Sequence, residues 1–382
     1  MPNVFPVPAT KGGAVETLVT SLIEENEKNH KIDLTCISIW EEKAEQISKQ
    51  YQNVEMIYLN NMRQGNEKVD LNFLQKDNSL QEYIKQIEKV LDGREFDYIV
   101  VEGGDAIAYQ ELLKKYPKEK CVLHIHGTHF GDISKLKQIY GVYYAVSDYI
   151  AKEITKTGMI KPEQVKTVYN GINVSKFHRK ITQQEKQELR KQYGIQTEDI
   201  VIMFCGRITP EKGIKELMQA FEQMKNRETA KLLLVGSKNF GVKEKSDFEQ
   251  ELKQIAQQLG DKVIFTGFVH NDNLYKMHQI SDIAVIPSVW EEAFGLVVVE
   301  AMASGLPVIT TQSGGIPEIV KDKSAIVLER DDQLVTNLSG KLDLLVQDKQ
   351  LREELGKRGE MRAEYFSNKV FFERFVEVVE EV

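Results

Sequence analysis

The chain has 382 residues, 41% hydrophobic and 28% charged, with a formal net charge of −8 and three cysteines. That length exceeds what one hydrophobic core usually serves, so two domains are expected, and the composition is that of a globular protein rather than a disordered or fibrous one. The acidic balance excludes a surface that wraps nucleic acid, no apolar run reaches the length of a membrane span, and the start MPNVFPVPATKGG lacks the parts of a secretory signal, so a cytoplasmic location is expected.

Strand-like apolar runs alternate with helical ones. They are NVFPV, IDLTCISIW, VEMIYL, YIVVEG, CVLHIHG, GVYYAVS and VKTVYNG, then, after the polar stretch FHRKITQQEKQELRKQYGIQTED, IVIMFCG, KLLLVG, KVIFTGF, IAVIPS, PVITT and AIVLE. Such alternation predicts α/β architecture with parallel sheets in two sets. The linker is placed around Val174 to Lys180, dividing the chain into domains 1–175 and 176–382. No motif recurs at a fixed period, which argues against a solenoid.

In the first half, Gly12 and Gly13 stand between a short strand and the helix AVETLVTSLIEE, where bare backbone either approaches a ligand or simply turns. The stretch SLQEYIKQIEKVL lines up Leu80, Tyr83, Ile84, Ile87, Val90 and Leu91, a face expected to pack on a sheet. Lys114, Lys115, Lys118 and Lys120 form a basic cluster in a half that is nearly neutral, with 24 Lys+Arg against 25 Asp+Glu over residues 1–180. It reads as a solvated helix end, the alternative being weak peripheral contact with an anionic membrane. Cys36, Cys121 and Cys205 sit in apolar runs without metal-ligand spacing and read as reduced core residues. His124 and His126 alternate along CVLHIHG and His129 follows, but Asp132 is the one acid that stands near them in sequence, so no metal is expected. His126, at the carboxyl end of its strand, is the candidate for touching a ligand, the alternative being a satisfied core histidine; His124 is expected to be structural.

In the second half, IVIMFCGR leads through ITPEKG into the helix IKELMQAFEQM and sets Arg207 and Lys212 at a strand's carboxyl end, where ligands collect in open α/β sheets. GFVHNDNLYKMHQISD reads as a turn and a helix capped by Asp272 or Asn273. In PSVWEEAFGLVVVEAMASG a strand stops at Pro287 and a helix starts near Leu296, leaving Glu292 in the loop and Glu300 one turn inside the helix. Were the segment helical throughout, the carboxylates would lie about 12 Å apart along the axis. With the loop they can converge on hydroxyls, while the free amides around Ala293 to Leu296 face an anion; the competing reading is a set of solvated helix charges. The last helix, NKVFFERFVEVVEEV, carries Phe371, Phe372, Phe375, Val376 and Val379 as a stripe that needs a surface to cover.

Gly206-Arg207-Ile208-Thr209-Pro210-Glu211-Lys212-Gly213, then Pro287-Ser288 with Glu292-Ala293-Phe294-Gly295 through Glu300 to Val308, then Gly314-Gly315-Ile316-Pro317-Glu318, together and in this order resemble the retaining glycosyltransferases of family four. Gly12-Gly13-Ala14, His126-Gly127, Val146-Ser147-Asp148-Tyr149 and Tyr169-Asn170-Gly171 add weaker matches. The resemblance implies the GT-B fold, two doubly wound Rossmann-like domains facing across a cleft, with the last helix, about 366–382, crossing back to the first. It implies metal-independent, anomer-retaining transfer from a nucleoside-diphosphate sugar, a UDP-sugar foremost, to a hydroxyl of a glycan or glycolipid acceptor in polysaccharide or glycolipid biosynthesis, at the inner face of the cell membrane or free in the cytoplasm. No cofactor is implied. Arg207 and Lys212 would neutralise the leaving diphosphate, Glu292 would bind a donor-sugar hydroxyl and Glu300 the ribose. Gly12, Gly13, Gly206 and the backbone of Ala293, Phe294, Gly295 and Leu296 would line the donor, Phe268 and Val269 would cradle the base, and His126 would close the sugar pocket. Acceptor choice would fall to loops such as Asn60 to Asn78. The chain departs from the family in its first strand, which Pro6 and Pro8 interrupt. A nucleotide-sugar epimerase or hydrolase of the same architecture, or a non-catalytic nucleotide-sugar-binding protein, is the rival expectation.

Overall fold

The computed structural model describes residues 5–59, 79–237 and 247–380, so the loop 60–78 assigned to acceptor choice lies outside the described residues. The chain forms two compact units, Met1–Gly171 with Asn368–Val382, and Ile172–Ser367. Each is an α/β unit, and among the described residues its paired strands run parallel.

In the first unit β1 (Leu34–Ile39) pairs with β2 (Val54–Leu59), and β3 (Ile99–Glu102), β4 (Cys121–Ile125), β5 (Val142–Ala145) and β6 (Val165–Thr167) lie side by side in that order. The apolar runs β4 and β5 are buried along their whole length, as expected of strands covered on both faces. The expected first strand is not formed among the described residues. Pro6 and Pro8 have no N–H to give a ladder, and Val7 is held by side chains instead: its N–H donates to Ser38 Oγ at 2.9 Å and its carbonyl accepts from the Tyr58 hydroxyl at 3.1 Å.

Among the described residues the second unit carries one six-stranded sheet. Its strands are β7 (Ile200–Cys205), β8 (Ala230–Val235), β9 (Val263–Gly267), β10 (Ile283–Ile286), β11 (Val308–Thr311) and β12 (Ile326–Leu328), in spatial order β12-β11-β10-β7-β8-β9. That is a doubly wound sheet whose winding reverses between β7 and β10. Its core joins Ile202, Phe204, Leu232, Leu234 and Val285 to Leu217, Phe221, Leu338 and Leu342 of the covering helices.

The boundary falls four residues before the expected one. Ile172 N–H donates to the Phe366 carbonyl at 2.9 Å, and the supposed linker is a short helix, Val174–Phe177, with Val174 and Phe177 buried. Two apolar side chains at helical spacing draw the segment into a core, an effect that its polar neighbours conceal in the sequence. The last helix, Asn368–Glu380, belongs to the first unit and buries Phe371, Phe372, Phe375, Val376 and Val378 against Leu18, Leu22, Val122, Val142, Tyr144 and Val168. Among the described residues no helix is long and apolar enough to cross a membrane. Cys36, Cys121 and Cys205 are free and buried. In the basic cluster, Lys114 pairs with Glu111 and Lys115 with Glu88.

Candidate functional site

At the winding reversal of an open parallel sheet, the two loops that leave adjacent strands in opposite directions open a crevice at the strands' carboxyl ends, the place such folds bind ligands. Here those loops are 206–213 after β7 and 287–295 after β10, the two segments singled out by sequence. Gly213 brings them together. It adopts φ +71°, and a Cβ on it would lie 1.9 Å from the Pro287 carbonyl oxygen, so the absence of a side chain is what lets the loops touch. The Val289 N–H adds a bond to the Glu211 carbonyl at 3.0 Å.

Across this contact Lys212 Nζ donates to Glu292 Oε1 at 2.6 Å, and Ser288 Oγ donates to the same oxygen at 2.6 Å. The lysine and glutamate side chains are 17% and 14% exposed, so the pair is partly dry. Oε2 of Glu292 takes part in neither bond and can accept from a hydroxyl; Lys212 keeps two further donors. Behind the loop, Glu291 accepts from the Gly314 N–H at 2.6 Å and pairs with Arg330, while the Gly315 N–H donates to the Glu292 carbonyl at 2.8 Å. The glycine pair of the GGIPE segment thus braces Glu292 from the next loop of the sheet.

The helix Leu296–Ala303 starts where the sequence places it, with Gly295 at φ +119° as its N-cap, so Glu292 precedes it and Glu300 lies within it. The amides at this start complete an anion-facing end. Arg207 shares the loop with Lys212 but is not drawn into the pair: its side chain is 54% exposed and approaches Glu211 at 3.9 Å. Gly206 ends β7, its N–H bonded to the Val235 carbonyl. Phe268, 45% exposed, and Val269 follow β9. The helix after them, Asn271–Gln279, is capped by His270, whose ring accepts from the Asp272 N–H, and not by Asp272 or Asn273 as expected. The imidazole nitrogen supplies the acceptor that a carboxylate or amide usually gives.

Burial pushes the Glu300 carboxyl up to about 7, and Lys176 partly offsets this. In the unfolded chain the group titrates near 4.3. Between those values the folded state holds a proton that the unfolded chain has lost, so this group's contribution worsens as pH rises from about 4.3 and is fully unfavourable above about 7. The residue keeps some solvent contact, which limits the effect to about 1–3 kcal/mol. Glu300→Gln is therefore expected to melt with the wild type at pH 5 and several degrees above it at pH 8; equal melting temperatures at both pH values would contradict a strained carboxylate.

In the first unit, Gly13 caps the helix Ala14–Asn29 at φ +98°, and Glu16 folds over it so closely that a Cβ on Gly13 would lie 2.1 Å from Glu16 Oε2. Gly12 shares the left-handed region at φ +85°. His126 stands at the carboxyl end of β4. Asp132 is engaged elsewhere, as the cap of the helix Ile133–Ile139. The acid that does meet His126 is Glu102, opposite His124 in the β3–β4 register, with Oε2 2.8 Å from His126 Nε2 and 3.0 Å from His124 Nδ1. Sequence reading missed it, although the run YIVVEG sets this glutamate, just before its final glycine, at a strand's carboxyl end. Sequence reading gives Ser288 and Lys176 no role either: Ser288 binds Glu292 four residues further on, and Lys176 acts on Glu300, far away in sequence.

Residues 185–362, which include both crevice loops, match the family model described as "Glycosyl transferases group 1". Over this stretch the chain is similar to the group 1 glycosyltransferases. An uncharacterized glycosyltransferase of Methanocaldococcus jannaschii is 35% identical over 226 residues, covering 55% of this chain and 56% of that protein. Spore coat protein SA of Bacillus subtilis is 27% identical over 372 residues, covering 94% and 92%. The chain thus spans little more than half the length of the first relative and nearly all of the second. The crystal structure of Anabaena HepE in complex with UDP-glucose superposes with a TM-score of 0.76 at 19% identity, covering 98% of each chain. The chain has the GT-B fold, and the matched stretch lies within its second Rossmann-like unit.

Proposed function

We propose that the protein is a retaining glycosyltransferase that moves a sugar from a nucleoside-diphosphate sugar, a UDP-sugar, to a hydroxyl of a glycan or glycolipid acceptor, without a metal ion. The observation that carries this reading is the Lys212–Glu292 pair at the winding reversal, a cation and a hydroxyl acceptor held together beside a helix start. Anabaena HepE has been crystallised in complex with UDP and with UDP-glucose, which supports the choice of nucleotide.

In this scheme the bond from the sugar's anomeric carbon to the phosphate oxygen breaks as the acceptor oxygen bonds to the same face, and the acceptor's proton passes to the leaving phosphate oxygen. Lys212, with Arg207 on the same loop, neutralises the charge that grows on the diphosphate, supported by the amides of Ala293 to Leu296. Glu292 Oε2 accepts from a sugar hydroxyl, Glu300 from the ribose, and the backbone at Phe268 and Val269 meets the base. In the first unit, His126 binds a sugar hydroxyl and the Gly12–Gly13 backbone approaches the ligand.

Two cations beside the diphosphate do the work that a divalent ion does elsewhere. Transfer is therefore expected to persist in excess EDTA; activity that vanished and returned with Mn²⁺ would contradict the scheme. The primary test is a thermal-shift screen with UDP, UDP-sugars and other nucleotide sugars, followed by transfer assays on hydroxyl acceptors. No stabilisation by any nucleotide sugar would refute the reading, and an epimer or free sugar formed rapidly from donor alone would replace it with an epimerase or hydrolase.

A further inference from the structure

We infer that Glu102 is a positioning residue for His126: it fixes the imidazole as the tautomer protonated on Nε2 and thereby presents Nδ1 as a hydrogen-bond acceptor for a neutral hydroxyl. The inference rests on the reading that His126 meets a sugar.

Parallel pairing of β3 and β4 sets Glu102 opposite His124, and His126 lies two residues further on the same face. All three side chains therefore converge at one carboxyl edge. Glu102 and His124 are buried, and the His126 side chain is 12% exposed. Gly103 follows Glu102 at φ +66°, and a Cβ there would lie 3.3 Å from His126 Cδ2. The Cδ2–Nε2 edge of the ring thus faces the β3 loop and the carboxylate, which leaves the Nδ1 edge turned away. Nδ1 has no partner among the described residues.

Charge accounts for the tautomer. Burial pushes the Glu102 carboxyl up, but His124 and His126 outweigh it and hold the group well below the usual carboxylate range, so it stays ionised and can only accept. Burial and the neighbouring His124 lower the His126 value more than Glu102 raises it, which leaves a neutral ring with one proton. An ionised acceptor 2.8 Å from Nε2 places that proton on Nε2. The His124 ring packs against His126 at a tilt of 44° with centroids 4.1 Å apart, and its Nδ1 lies 3.0 Å from the carboxylate without the alignment of a hydrogen bond, so it contributes a wall and a dipole.

A glutamate and two histidines also suggest a metal, and distance decides between the readings. Donor atoms around zinc, at bonds of 2.0–2.1 Å, stand about 3.3 Å apart. The oxygen–nitrogen separations of 2.8 and 3.0 Å are shorter than that, and the 2.8 Å from Glu102 Oε2 to His126 Nε2 is that of a proton-bridged pair.

Glu102→Gln provides the test, because an amide can donate to Nε2 and invert the tautomer. With ¹⁵N-labelled histidine in the whole ligand-free protein, His126 should show an unprotonated Nδ1 in the wild type and in Glu102→Asp, and a protonated Nδ1 in Glu102→Gln. With donor and acceptor, Glu102→Gln should raise the donor KM roughly tenfold with a smaller change in kcat, and Glu102→Asp should recover part of it. A wild-type Nδ1 that already carries the proton, a tautomer unchanged in Glu102→Gln, or one equivalent of zinc that copurifies with the wild type and is lost in Glu102→Gln would overturn the inference. Should Glu102→Gln fail to fold, the wild-type tautomer still decides. The ring measurement needs no substrate, so a protein with the expected tautomer that binds no nucleotide sugar would refute the proposed function while leaving the Glu102–His126 arrangement intact.

Discussion

Lys212→Ala is expected to slow sugar transfer by at least tenfold and as much as about a hundredfold, while the variant still folds. A charge-assisted hydrogen bond contributes about 1.5–3 kcal/mol, and one formed mainly as the diphosphate departs appears in kcat at that full value. The lysine also neutralises Glu292 at 2.6 Å in a setting where both groups are largely shielded from water. Its removal leaves the carboxylate facing Ser288 alone, at a cost of about 1–2 kcal/mol, below the figure for a fully buried pair because some solvent remains. Pairing the substitution with Glu292→Gln separates the two effects. The double variant should regain the lost melting temperature without regaining kcat, since the neutral amide no longer needs a cation but the leaving phosphate still does. Undiminished turnover in Lys212→Ala would remove the lysine from the mechanism.

Gly213→Ala should do more damage to the fold than any other single methyl group added to the crevice loops. The residue occupies the left-handed region, which costs an alanine about 1 kcal/mol, and its Cβ would lie 1.9 Å from a backbone oxygen at the end of β10. A side chain could swing aside, but a carbonyl anchored to the central strands cannot. The loops must part, so a loss of about 3 kcal/mol or more is expected, roughly 6–12 °C for a unit of this size. Lys212 would then leave Glu292, so turnover should fall as far as in Lys212→Ala. Gly260→Ala is the control, since Gly260 has φ +64° but nothing within 4 Å of the added methyl. Equal melting temperatures for the two variants would show that the loops do not touch as described.

Twelve of the thirteen apolar runs named from sequence form strands, because a parallel strand covered on both faces is apolar throughout and needs no knowledge of its neighbours to be seen. The helix start at Leu296 was legible for a similar reason, as Gly295 and the proline-terminated strand are local marks. The misses concern partners. Nothing near Val7 announces that Ser38 and Tyr58 will hold it in place of a ladder. Glu102 lies 22 residues before His124, and only the register of two strands sets them opposite each other. Lys212 and Glu292 were each assigned to a ligand, yet in the structure they first meet each other, across 80 residues of chain. Spacing within a motif reports local conformation; the order of strands in a sheet decides which motifs share a crevice.

The last helix has a consequence for how the protein is made. Residues 172–367 are continuous and can close as soon as they leave the ribosome, whereas the unit begun first must wait for Phe371, Phe372 and Phe375, translated after them. Three buried aromatic side chains at about 1.5–3 kcal/mol each approach the whole stability of an ordinary domain. Released chains that stop at Ser367 should therefore carry a finished later unit and an unfinished earlier one, so the unit that is begun first is the one that matures last.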